Sequence, residues 1–172
     1  GVEQNVRDAR IAMLYEGTTG IQALDFIGRK VLGSGGELLR KFTRKVHLFC
    51  KENADNEALS EFVLPLQSIN KKWGDLTLHI GTKAMENADE AGAASVDYLM
   101  FSGYVCLAYF WAKAASTASL ALASNTTEID FYQAKLTTAR FYYQRILPRT
   151  KVCEDGILSG SDNLMSLSEA AF

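Results

Sequence analysis

Residues 59–80 read LSEFVLPLQSINKKWGDLTLHI, and the spacing of their apolar positions decides the fold class. Leu59, Phe62, Leu66, Ile69, Trp73, Leu76 and Ile80 follow one another at steps of three, four, three, four, three and four. An α-helix turns once in 3.6 residues, so these steps place all seven side chains on one stripe. A half-buried strand would need strict alternation, which the stretch lacks. A stripe sustained in this way is the seam of a helix that packs in a coiled coil or a bundle. Pro65 sits inside it without an N–H to donate, and a kink is expected there at a cost of about 3 kcal/mol.

The same spacing recurs on both sides of the seam. Upstream, Leu39, Phe42, Val46 and Phe49 form one helical face, while Arg40, Lys41, Arg44, Lys45 and Lys51 form the opposite one. That basic face reads either as an ordinary solvated surface or as a contact for phosphates or an acidic neighbour. Lys51 to Glu57 reads as a polar turn and Asn87 to Gly92 as another. Between them and beyond, Ala93 to Ser124 is apolar nearly all round, with Tyr98, Phe101, Tyr104, Tyr109, Phe110 and Trp111. Such a run is either a helix buried on several sides or a membrane span. The uncharged part between Asp97 and Lys113 has 15 residues, short of the roughly 20 that a bilayer requires, so no span is expected.

Asn125 to Glu128 supplies a turn and cap, after which Ile129, Tyr132, Leu136, Ala139, Tyr143 and Ile146 repeat the seam. Pro148 ends or bends that helix. Gly156 to Gly160 reads as a turn leading to a short capped helix at Ser161 to Leu164, with Phe172 docked or frayed at the end. The fold class is therefore all-α: a helix-turn-helix segment followed by an up-and-down four-helix bundle from about Gly36 to Ile157. Gly33-Ser34-Gly35-Gly36 is the clearest linker, which divides the chain into domains at 1–34 and 35–172.

Composition bounds the function. The chain has 172 residues, 48% of them hydrophobic, and a net charge of −2, so nothing electrostatic argues for nucleic acid as a partner. Cys50, Cys106 and Cys153 are odd in number and far apart, the pattern of buried thiols in a reducing, cytoplasmic setting. Gly1 begins neither a basic region nor an apolar signal core, so no export signal is expected. His47 and His79 lack any metal-ligand spacing, and no metal site is expected. Neither a nucleophile elbow nor a P-loop is present.

One stretch carries chemistry: Arg7 to Asp25, RDARIAMLYEGTTGIQALD. An amphipathic run with Val6, Ile11, Met13 and Leu14 halts at Tyr15-Glu16-Gly17, and a second starts with Ile21 and Leu24. Gly17 is of the type that closes a helix, and Thr19 with Gln22 fits a capping box for the next one. Glu16 would stand at a helix C-terminus, where the macrodipole disfavours its charge and raises its proton affinity. Such a carboxylate is either an ordinary helix-end residue or a general base tuned toward neutral pH.

The stretch from Arg7 to Leu32 closely resembles the final catalytic segment of flavin-dependent acyl-CoA dehydrogenases, in which an RDA(R/K)I block precedes YEGT and IQ at this spacing. The resemblance implies that residues 1–34 are the end of the catalytic helical domain and 35–172 an added C-terminal bundle. It implies that Glu16 removes the α-proton of an acyl-CoA thioester while the β-hydride passes to FAD. By the same resemblance, the Glu16 N–H helps to hold the thioester oxygen, and Gly17 lets the substrate approach. Thr18, Thr19, Gly20 and Gln22 would touch the flavin dinucleotide, a role that stands beside turn and cap chemistry for Thr19 and Gln22. Where many members carry Ser-Gln or Asn-Asp after YEGT, this chain has Thr19-Gly20, and Ala23-Leu24-Asp25 follows its IQ pair; GIQALD looks like the subgroup with extra C-terminal helices.

Further expectations follow from the resemblance. The N-terminal and middle domains that hold flavin and substrate lie outside this chain, so the chain alone is expected to be inactive and not to bind FAD. The complete enzyme would serve fatty acid β-oxidation, form a homo-oligomer and pass electrons to a partner such as electron-transfer flavoprotein. The alternative is a non-catalytic helical bundle module for assembly or interaction.

Overall fold

The computed structural model describes residues 1–14 and 18–171, and among them there is no strand. The helices are α1 (Val2–Arg10), α2 (Thr18–Leu24), α3 (Glu37–Glu52), α4 (Ser60–Glu86), α5 (Asp89–Ala123), α6 (Ile129–Phe141), α7 (Thr150–Leu158) and α8 (Asp162–Met165). Short connections join α3 to α6, and each helix packs on the next, so the bundle runs up and down as its spacing requires. Helix α5 is central, packed against α2, α4, α6 and α7.

The seam from Leu59 to Ile80 is the floor of the core. Leu59, Phe62, Leu66, Trp73, Leu76 and Ile80 are buried, and Ile69 is partly so. Two clusters divide the interior. One joins Val46, Cys50, Phe62, Leu66, Ala112, Leu136 and Tyr143. The other joins Ile27, Val31, Trp73, Ile80, Tyr98, Phe101, Cys153 and Ile157. Tyr98 lies at the centre of the second, fully buried, with its hydroxyl 2.6 Å from Thr77 Oγ1, which satisfies a group that would otherwise be stranded. Pro65 stands inside α4, which runs unbroken from Ser60 to Glu86; the bond its nitrogen cannot make falls near the helix start, where Glu61 is exposed to water.

Several boundaries differ from the sequence reading. Helix α5 resumes at Asp89, so the break spans only Asn87 and Ala88; Asp89 and Glu90 favour a helix start by facing its positive end. Gly156 lies within α7, and the turn is confined to Ser159 and Gly160, where Gly160 takes a left-handed φ of 72°. Ser161 precedes α8 but makes no cap bond. Ile129 is exposed, so the α6 seam begins at Tyr132. Phe172 lies outside the described residues.

Helix α6 passes into a π-helical turn at Tyr142–Ile146, a 3-10 turn at Leu147–Arg149 containing Pro148, and then α7. The wider π turn lets two adjacent tyrosines face inward. Tyr142 Oη donates to Tyr104 O and Tyr143 Oη donates to Ala108 O, each at 2.9 Å. Another π-helical stretch, Asp25–Val31, extends α2 and turns Ile27 and Val31 into the second cluster. It closes in a 3-10 turn at Leu32–Ser34, where Gly35 and Gly36 take left-handed φ values of 59° and 75°. The linker predicted from its glycines is thus a sharp turn, and the residues before it share a core with those after it.

Helix α5 also bears on the membrane question. Its 35 residues make it long and apolar enough to cross a bilayer by length and composition, which the 15-residue count between Asp97 and Lys113 had not anticipated. Its inward positions, Tyr98, Phe101, Val105, Ala108, Ala112 and Ala115, are buried in the bundle core.

Candidate functional site

The candidate site lies where α1 ends and α2 begins. After α1 the chain tightens into a 3-10 turn at Ile11–Met13, closed by the Leu14 N–H donating to Ile11 O at 3.0 Å. The halt expected at Tyr15-Glu16-Gly17 lies outside the described residues; α1 itself ends earlier, at Arg10. Glu16 and Gly17, the proposed base and substrate contact, lie outside the described residues. Helix α2 starts at Thr18, so Thr19 stands inside the first turn and not at the N-cap that the capping box had assigned to it.

The other site residues share an outward surface. Thr19, Gly20 and Gln22 are exposed and Thr18 is half-buried, while Ala23 on the opposite side is fully buried against α5. A Cβ added to Gly20 would meet nothing within 4 Å, so the first turn of α2 faces open space. Ile21 and Leu24 beside it are also exposed. Below the site, Asp25 accepts from Arg29 Nε, and that hydrogen bond holds its carboxyl below the usual range.

Helix α1 has no buried residue, and its apolar side chains stand in solvent: Val2 is 76% and Val6 68% exposed. An amphipathic helix gains little from its apolar stripe unless that stripe is covered. Arg7 donates to Gln4 Oε1, and Gln4 in turn donates to Asp8, so these polar groups pair along the helix and not with the bundle.

A different concavity, not assembled by the sequence reading, lies between α3 and α4. This groove of about 1040 Å³ is lined by Arg40, Lys41, Arg44, His47, Asn70 and Lys71 among others. The arginines and lysines of α3 were legible as a basic face; Lys71 and Asn70 on α4 were not placed opposite them. A narrower apolar groove of about 610 Å³ adjoins it, sharing Arg40, Thr43 and Gly74. Among the described residues no group of histidines, cysteines and carboxylates could hold a metal ion.

Residues 42–168 match the family described as Acetyl-CoA dehydrogenase C-terminal like. The chain is 31% identical, over 99% of its length, to the broad-specificity linear acyl-CoA dehydrogenase FadE5 of Mycobacterium tuberculosis. It is 32% identical, over 98% of its length, to 3-methylmercaptopropionyl-CoA dehydrogenase of Ruegeria pomeroyi. A butyryl-CoA dehydrogenase of Syntrophomonas wolfei is 26% identical over 83% of the chain. The chain spans 29% of the length of each of the first two relatives and 24% of the third. The bundle matched over residues 42–168 and the alignment of nearly the whole chain with these dehydrogenases together place it: the chain belongs to the acyl-CoA dehydrogenase family, as a C-terminal portion.

Proposed function

We propose that this chain is the C-terminal part of an FAD-dependent acyl-CoA dehydrogenase that converts an acyl-CoA to its 2,3-enoyl product. The observation that carries the reading is the outward face of α2. Thr19, Gly20 and Gln22 are presented to open space by a helix whose other face, Ala23 and then Ile27, is locked in the core. An open glycine flanked by hydroxyl and amide groups fits the approach of a bulky polar cofactor. Thr18, Thr19, Gly20 and Gln22 would hold FAD there. The flavin supplies the hydride acceptor.

The chain's own contribution is proton chemistry. Glu16 takes the α-proton onto a carboxylate oxygen as the α C–H bond breaks, and the electron pair moves toward the thioester carbonyl. The Glu16 N–H is a donor for that oxygen, where fixed dipoles lower the barrier most effectively. Gly17 leaves room for the substrate. The exposed apolar stripe of α1 supports a further part of this reading, in which α1 is covered by the remainder of the catalytic domain and residues 1–34 belong to that domain. The chain by itself is then inactive. The separate, unpaired thiols support a reducing cytoplasmic setting.

In the intact enzyme Gly20→Leu fills the open space without touching the core. The flavin absorbance per mole of purified protein is expected to fall several-fold while the helical circular dichroism is unchanged. Full flavin occupancy in that variant would remove the α2 surface from the cofactor site.

A further inference from the structure

We infer that the groove between α3 and α4 is a binding site for a phosphorylated small molecule carrying at least two phosphate charges. Its lining contains four permanent cations, Arg40, Lys41, Arg44 and Lys71, against one carboxylate, Glu37. The chain as a whole is slightly acidic, so this concentration of positive charge is a local feature and not a reflection of composition.

The cations are only partly spoken for. Lys41 pairs with Glu37 at 2.8 Å, and Arg40 Nη1 donates to Gly35 O at 3.0 Å. Among the described residues Arg44 and Lys71 have no ion-pair partner. Arg40 and Arg44 stand four residues apart on α3 and therefore project side by side, with His47 next on the same stripe. Lys71 faces them from α4. Two adjacent guanidinium forks opposite an ammonium match an anion with several oxygens; a single carboxylate would occupy one fork and leave the others unmatched.

Two further observations lie on the floor of the groove. Gly74 sits in the middle of α4, where glycine costs about 1 kcal/mol relative to alanine. A Cβ added there meets nothing within 4 Å, so the groove is open at this point and no neighbour among the described residues requires a glycine. Asn70 Nδ2 donates to Thr43 O at 3.1 Å, which ties α4 to α3 beneath the cations. Basic walls and an open glycine thus meet between two helices that Asn70 ties together.

The test is calorimetric titration of the protein with inorganic pyrophosphate, beside co-sedimentation with vesicles containing phosphatidylglycerol. Saturable one-to-one pyrophosphate binding is expected, weakened at least 10-fold in the Arg44→Gln/Lys71→Gln double variant. Gly74→Leu should abolish binding to a similar extent while raising the melting temperature, because it fills the groove and removes a helix-weakening glycine. Pyrophosphate binding without vesicle binding identifies a free phosphorylated ligand; vesicle binding that pyrophosphate displaces identifies a lipid headgroup on the same site. Absence of saturable binding to either, or binding that both variants retain, would overturn the assignment.

Discussion

The carboxyl group of Asp97 on α5 occupies the space that a side chain at residue 156 of α7 would need: a Cβ added to Gly156 would stand 2.9 Å from Asp97 Cγ and closer still to one of its oxygens. Gly156 is helical, so its role there is close approach between helices and not a turn. Gly156→Ala is expected to destabilise the protein by about 1–2 kcal/mol, since the overlap outweighs the helix propensity that alanine gains. In an Asp97→Ala background the overlap is gone, and the same substitution should become neutral or stabilising by up to about 1 kcal/mol. Denaturant unfolding of the four members of this cycle checks the reversal of sign.

Two carboxylates on α5 should pull stability in opposite directions with pH. Burial pushes the Asp97 carboxyl up, so its contribution becomes unfavourable as pH rises from the unfolded value, about 3.9, through the higher folded one. Glu90 is held low by its hydrogen bonds from Ser161, whose Oγ donates to Glu90 Oε1 at 2.8 Å and whose N–H donates at 3.3 Å. Its stabilising contribution is present above the unfolded pKa and is lost as pH falls through the folded one. Asp97→Asn should therefore raise the unfolding midpoint at pH 7 relative to wild type and leave it nearly unchanged at pH 3. Glu90→Gln should lower it at pH 7 and not at pH 3. Midpoints that move together in the two variants would contradict the opposed environments.

Much of the bundle was legible because burial and spacing are the same fact seen twice. The steps from Leu59 to Ile80 reappear as the buried face of α4, and the polar gap at Asn125 reappears as a left-handed residue with φ 56°. Boundaries were read less well where charge and not hydrophobicity sets them, as at Asp89. The π-helical stretches at Asp25–Val31 and Tyr142–Ile146 left no sequence signal, because they arise from fitting adjacent side chains to a core formed by distant segments. At the site, the motif named Thr19, Gly20 and Gln22, which stand exposed on α2, whereas Thr19 lies inside the helix and not at its cap. The basic groove needed two helices placed side by side, and no pattern within α3 or α4 alone contains that pairing.

The thiols should be inert in the folded protein. Burial pushes Cys50 up to about 11 and raises Cys106 and Cys153 as well, and a protonated thiol is a poor nucleophile. An alkylating reagent at pH 8 is expected to label none of the three on the timescale on which all three react in denaturant, as read by mass spectrometry. Rapid labelling of Cys50 in the folded chain would show that the α3 and α6 seams open.

The central claim rests on Glu16, and it is tested most directly by mixing the intact flavoenzyme with acyl-CoA in the absence of oxygen and following the flavin absorbance. Glu16→Gln keeps the size of the side chain but removes the proton acceptor, so bleaching should slow by at least about 10³-fold, or about 4 kcal/mol of barrier, while flavin content and melting temperature are retained. Bleaching at the wild-type rate in that variant would contradict the assignment of Glu16 as the base.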